Sequence, residues 1–251
     1  MKIIPVYIVV DRSGSMGRRA SDGLRPIDIV RNLPSEILKA YHLDPVIAEE
    51  IRLSVISYAE TTNVEIRLGS IRNLEDLHSL TSGGNTYFGE AFKELKQTID
   101  RDMNTWEASA QPGDKTARPI VIFFSDGKPS DPTEIRDAQF RTLCPIDESG
   151  HPDRTKSKWY PNMYMAGVGD SVDINLERYV FGKGQLFPRL VGGNSATQVR
   201  HAITICSGTL TVLSHASNQL TDLELEDDDV IFDLGLEIPG NDDIFDNKTW
   251  D

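Results

Sequence analysis

A chain of 251 residues with 39% hydrophobic and 26% charged side chains has enough apolar material for one sizeable core and the composition of an ordinary folded domain. No apolar run approaches the roughly 20 residues that span a bilayer, which argues against a membrane-crossing helix. With a formal net charge of −13 and no basic face, nucleic acid is not an expected partner.

Strand and helix patterns alternate along the chain. Ile3–Val10 is a β-branched run suited to burial on both faces of a parallel sheet. It is too short for a secretory signal, contains Pro5 and ends at Asp11, so a first buried strand and a cytoplasmic location are expected. Residues 26–41 carry helical spacing at Ile27, Val30, Leu33, Ile37, Leu38 and Tyr41, with Pro26 at an early helical position and Pro34 placed to kink or interrupt the helix. Ile51–Tyr58 and Asn63–Leu68 read as two strands joined by the short polar turn Glu60–Thr62, hence antiparallel. A helix over Phe88–Met103 follows, then a polar loop over Ser109–Thr116 and a third apolar strand at Pro119–Phe124.

Beyond it the pattern predicts a helix over Pro132–Leu143, a loop over Asp147–Ser157 and a strand over Trp159–Val168. A short helix at Asn175–Tyr179, a short edge strand at Gln185–Leu190 and a closing helix at Ser195–Ser214 complete the body. The order predicts an α/β fold: a doubly wound, mostly parallel central sheet with one antiparallel edge strand. Residues 1–217 are expected to form the domain and 218–251 an acidic tail. Residues 222–251 hold twelve Asp and Glu against Lys248 alone, a net of −11 that leaves −2 for residues 1–221. Cys144 and Cys206, far apart in sequence, suggest two buried thiols and neither zinc nor a disulfide framework.

In a doubly wound sheet ligands sit beyond the carboxyl ends of the strands. Three such ends carry hydroxyls and carboxylates: Asp11-Arg12-Ser13-Gly14-Ser15 after the first strand, Gly83-Gly84-Asn85-Thr86 before the Phe88 helix, and Ser125-Asp126-Gly127 after the Pro119–Phe124 strand. The first strand and the Pro119–Phe124 strand are expected to be central neighbours, bringing Asp11 and Asp126 together. Carboxylates and hydroxyls with no imidazole or thiolate make a hard oxygen site, suited to Mg2+, Mn2+ or Ca2+ rather than zinc or copper.

Asp11-x-Ser13-x-Ser15, then Thr86, then Asp126-Gly127 resembles the metal-ion-dependent adhesion site of von Willebrand factor type A domains, over about residues 1–215. The resemblance implies the Rossmann-like fold of that family and no catalysis. It implies that Ser13, Ser15 and Thr86 hold a divalent ion directly or through water, that Asp11 and Asp126 act often through water, and that a partner's Asp or Glu completes the shell. Arg12, Gly14, Asn85 and Gly127 are then expected to face the partner protein. The DRSGSM start and the GGNT loop are also similar to standalone bacterial type A proteins of the tellurium-resistance kind, which implies a stress or phosphorylation-signalling assembly with a PP2C-like phosphatase and a protein kinase.

Two other readings compete. The serines and Asp126-Gly127 are also ordinary caps and turns, which leaves a scaffold that binds through another surface or the tail. A magnesium phosphatase of the haloacid-dehalogenase kind also begins at an Asp after a first strand, but needs a carboxylate two residues on, where this chain has Ser13.

Overall fold

The computed structural model describes residues 2–19, 23, 25–41, 49–125, 129–167, 174–182, 184 and 186–187. The closing helix expected at Ser195–Ser214, Cys206 and the acidic tail lie outside the described residues.

Strand β1 (Lys2–Asp11) is buried along nearly its whole length because it has neighbours on both edges and helices on both faces. β2 (Ile51–Tyr58) and β5 (Ile120–Ser125) flank it in parallel, in register from Ile4↔Ile51 and Val6↔Ile120. β3 (Thr62–Ser70) runs antiparallel to β2 at one edge, and β6 (Asn162–Gly167) and β7 (Leu186–Phe187) extend the other side in parallel. The sheet order is β3-β2-β1-β5-β6-β7, so the expected mostly parallel sheet with one antiparallel edge is what forms. A two-residue strand, β4 (Lys115–Thr116), pairs with Lys2 and Ile3 where a loop was expected. Its partners are too few to leave a periodic signal. Pro5 falls between the stretches of β1 paired to β4 and to β5, where that ladder is interrupted, which is how a proline is accommodated in a central strand.

Strand alternation divides the core in two. Val6, Ile8 and Val10 of β1 and Ile120, Ile122 and Phe124 of β5 face α1 (Pro26–Arg31) and α2 (Leu33–Tyr41), packing with Ile27, Val30, Leu33 and Ile37. Tyr7, Val9, Val121 and Phe123 face α3 (Phe88–Ser109). The helix expected over 26–41 is broken at Asn32, and Pro34 sits in the first turn of α2, where a missing N–H costs nothing. α3 buries Phe88, Ala91, Phe92, Leu95, Ile99 and Met103 along one stripe and continues six residues past the predicted end on a polar face. α4 (Thr133–Leu143) packs beside α3, and the short helix expected at Asn175–Tyr179 forms as a 3-10 helix over Ile174–Tyr179. β6 starts at Asn162, after Pro161, rather than at Trp159. Cys144 is buried and free, and burial holds its thiol well above the ordinary range. Among the described residues no helix is long and apolar enough to cross a membrane.

One buried polar pair on the α3 face stands out. The Tyr7 hydroxyl lies near Asp102 without a well-formed hydrogen bond to it, while Arg101 donates to Asp102 Oδ1 at 3.0 Å. Burial raises the Asp102 carboxyl above its ordinary range, against the pull of Arg101. An acid whose folded pKa is raised carries its penalty in full above that pKa and loses it as pH falls toward the ordinary value of 3.8. Asp102→Asn is therefore expected to raise the thermal midpoint at neutral pH and to flatten the gain in stability on acidification. Thermal unfolding of both proteins at a series of pH values between about 4 and 8 checks this; a lower midpoint for the variant at every pH would mean that the Arg101 pairing outweighs burial.

Candidate functional site

β1 delivers Asp11 to the carboxyl end of the sheet with its side chain fully buried. Asp11 Oδ1 accepts the Ser13 amide at 2.7 Å, a local turn that curls the chain back over the strand end. The following 3-10 turn, Gly14–Gly17, is anchored by the fully buried Met16. This leaves the Ser13 and Ser15 hydroxyls 3.0 Å apart. Ser13 occupies the N-cap position of that turn, yet its side chain makes no capping bond, so helix capping does not account for it. The Tyr58 hydroxyl donates to the Phe124 carbonyl at 2.9 Å and lies 3.4 Å from Asp11 Oδ2, as does Ser125 Oγ. The ends of β1, β2 and β5 are thereby joined around one carboxylate.

The Thr86 loop is held against this end by backbone bonds in both directions. Gly14 N donates to the Gly84 carbonyl at 3.0 Å and Gly83 N to the Arg12 carbonyl at 2.8 Å. Gly84 has φ +77°, which only glycine adopts without strain, and a Cβ there would press on the Glu60 side chain at 3.2 Å. Thr86 is 5% exposed. The structure therefore places Asp11, Ser13 and Ser15 at the carboxyl end of β1 and packs the loop that carries Thr86 against them. Asp126 and Gly127 lie outside the described residues; Ser125, which precedes them, reaches Asp11.

Arg12 and Asn85 bind the β2–β3 turn. The Arg12 guanidinium donates to the Thr61 carbonyl and hydroxyl at 3.1 and 2.7 Å, and Glu60 Oε1 accepts both the amide and the side-chain nitrogen of Asn85 at 3.2 and 2.7 Å. The sequence marks Glu60 only as part of a polar turn. The sequence marks Tyr58 only as the last residue of a strand; its hydroxyl at a strand end is the signal for a polar task. Ser130 and Asp131 were missed because Ser-Asp-Pro before a helix reads as a cap for that helix, whereas Pro132 is the α4 N-cap and no side chain bonds there.

The described donors are thus one carboxylate and the hydroxyls of Ser13, Ser15 and Thr86. Among the described residues no group of three or more His, Cys, Asp or Glu side chains is placed to hold a metal. The donor set is one of hard oxygens, and it fits Mg2+, Mn2+ or Ca2+ by chemistry.

Residues 6–128 match the von Willebrand factor type A domain family. No curated protein matches the chain. Among solved structures, the SpRpn10 VWA domain superposes with a TM-score of 0.52 at 12% identity, over 79% of this chain and 95% of that one. Proximal thread matrix protein 1 from the mussel byssus gives 0.51 at 13% identity, over 81% of this chain and 46% of that one. The pilus adhesin SpaC from Lactobacillus rhamnosus GG gives 0.52 at 14% identity, over 84% and 31%. This chain thus spans less than half the length of the last two. At these identities the likeness is one of fold.

Proposed function

We propose that the chain carries a von Willebrand factor type A domain, commonly a protein-interaction module, and that it binds a protein partner by its Asp or Glu side chain through a divalent cation. The observation that supports this most directly is the convergence of Asp11, Ser13, Ser15 and Thr86 on the carboxyl end of the central strand. Asp126 is the second carboxylate of the proposal and Mg2+ the first choice of ion, with Mn2+ and Ca2+ as alternatives.

The ion supplies a coordination bond and charge to an incoming carboxylate. The protein supplies a prearranged set of oxygens. Hydroxyls are neutral, so two carboxylates leave a divalent ion with little excess negative charge, and magnesium in particular readily shares its shell with waters and an outside anion. Gly14, Gly127 and the rim residues Arg12 and Asn85 would border the partner. The proposal extends to a bacterial cytoplasmic stress assembly of the tellurium-resistance kind, with a PP2C-like phosphatase and a protein kinase as candidate partners. Ser13 stands where a phosphatase of the haloacid-dehalogenase kind needs its second carboxylate, which favours binding over phosphoryl transfer.

The test is binding of a Glu-containing peptide or of the candidate partners to this chain in magnesium and in chelator. Binding that vanishes in chelator supports the proposal. Equal binding in both would shift the reading to a scaffold that uses another surface, and turnover of a generic phosphate ester lost in Asp11→Ala would shift it to a phosphatase.

A further inference from the structure

The loop that follows β5 is fastened to the loop that carries Thr86 by an arrangement no helix-start rule predicts. Ser130 N donates to the Thr86 carbonyl at 2.7 Å, and Thr86 N faces Ser130 Oγ at 3.4 Å. The next residue, Asp131, reaches across to the first turn of α3, where its carboxylate accepts Gly89 N at 2.7 Å and Phe88 N at 3.3 Å. Tyr87, the α3 N-cap residue, provides no side-chain cap, so Asp131 satisfies donors that the helix's own sequence leaves open. Gly89 permits the approach, since a Cβ there would stand 3.0 Å from Asp131 Oδ2.

Arg136 holds the other side. Its guanidinium donates to the carbonyls of Asp131 and Pro129 at 2.8 and 3.3 Å, to Thr133 Oγ1 at 2.7 Å and to the Tyr179 hydroxyl at 3.2 Å. It also lies 3.6 Å from Asp131 Oδ1, and the two side chains are 11% and 8% exposed, so water screens the pair little. Residues 129–131 are thus pinned from α3 on one side and α4 on the other.

We infer that Asp131, braced by Arg136, is a positioning residue for the cation site: it fixes the loop that carries Thr86 against residues 129–131 and the start of α3. The inference rests on the proposed cation-binding reading of this end of the sheet. The Asp131 carboxylate is taken up by the Phe88 and Gly89 amides and by Arg136, so it acts through Ser130 and the start of α3, on the two sides of Thr86. A carboxylate placed to complete another helix's N-terminus has more reach than a local cap, because its own helix and the capped one must then move together.

The experiment compares the full chain with Asp131→Asn and Asp131→Ala in three readouts: Mn2+ affinity by calorimetry, residue-level amide exchange without metal, and the thermal midpoint. Asp131→Ala is expected to weaken Mn2+ binding by about 10-fold, the lower end of the cost of losing a residue that orients metal ligands. It should also lose amide protection at Phe88 and Gly89 and, beyond them, at Thr86 and Gly83. Asp131→Asn, which keeps one carbonyl acceptor, should recover part of both, and it carries the comparison if the alanine protein does not fold. A lower midpoint with unchanged Mn2+ affinity and unchanged exchange over residues 83–86 would overturn the inference, leaving a helix cap and nothing more. If the parent chain binds no Mn2+, the cation reading fails by itself, and exchange alone then decides: protection lost over 83–86 in Asp131→Ala sustains the coupling, and unaltered protection overturns it.

Discussion

Asp11→Ala is expected to abolish Mg2+ and Mn2+ binding, with the dissociation constant rising by at least about 100-fold. Residues that merely orient metal ligands cost about 10–100-fold when lost, and Asp11 is the only carboxylate among the described donors. The substitution has a second effect. Asp11 is fully buried and its Oδ1 accepts the Ser13 amide at 2.7 Å, so alanine leaves that amide without its acceptor and frees the turn that sets Ser13 beside Ser15. An unsatisfied buried group costs about 1–3 kcal/mol, within reach of a folded domain. Asp11→Asn, which keeps an acceptor for Ser13 N, separates the two effects: it should retain most of the thermal midpoint and still lose the ion. Calorimetric titration with either metal is the measurement, and full binding by Asp11→Asn would remove the carboxylate from the proposed shell.

The largest loss of stability is expected away from the site, at Phe92→Ala. Phe92 is fully buried on α3, with ring centroids 5.9 Å from Phe88, 5.3 Å from Phe123, 5.2 Å from Phe140 and 5.2 Å from Tyr179. Removing the ring deletes contacts to a neighbour on its own helix, to two other helical elements and to the sheet together. Phe→Ala substitutions in cores cost about 3–5 kcal/mol, against a typical total of about 5–15 kcal/mol for a domain. Denaturant unfolding should show the midpoint falling sharply; a loss under about 1 kcal/mol would mean that the neighbouring rings close over the gap.

The sheet was legible because its strands announce themselves by burial on both faces. Ile3–Val10 and Ile120–Phe124 are continuous apolar runs, and only central strands of a parallel sheet need such runs. The antiparallel β2–β3 pair was legible from the shortness of its turn. The lone two-residue β4 was not, since its pairing with Lys2 and Ile3 depends on where β1 lies and not on its own residues. Asp11, Ser13, Ser15 and Thr86 could be read as a group because their segments stand at strand and helix ends and carry oxygens, and because their order resembles the adhesion site of type A domains. What surrounds them could not. Glu60, Tyr58, Ser130 and Asp131 act on partners between 25 and 66 positions away in the chain, and local pattern assigns them to local tasks: a turn, a strand residue, a cap for the nearer helix.

The central place of β1 has a consequence for the order in which the sheet is assembled. During synthesis β1 emerges before any of its neighbours. One edge is covered once residues 51–58 follow, but the other waits for β4 and β5, whose pairing begins only at Lys115 and Ile120. Until then the nascent chain presents an open ladder on a strand whose every residue from Ile3 to Val10 is apolar, aromatic or proline. Contacts this far apart in sequence close slowly, and an unpaired apolar edge is where partly folded chains adhere to one another. The strand that later anchors the oxygen donors is thus the one that depends longest on the rest of the chain, and yield on refolding should be limited by concentration before it is limited by stability.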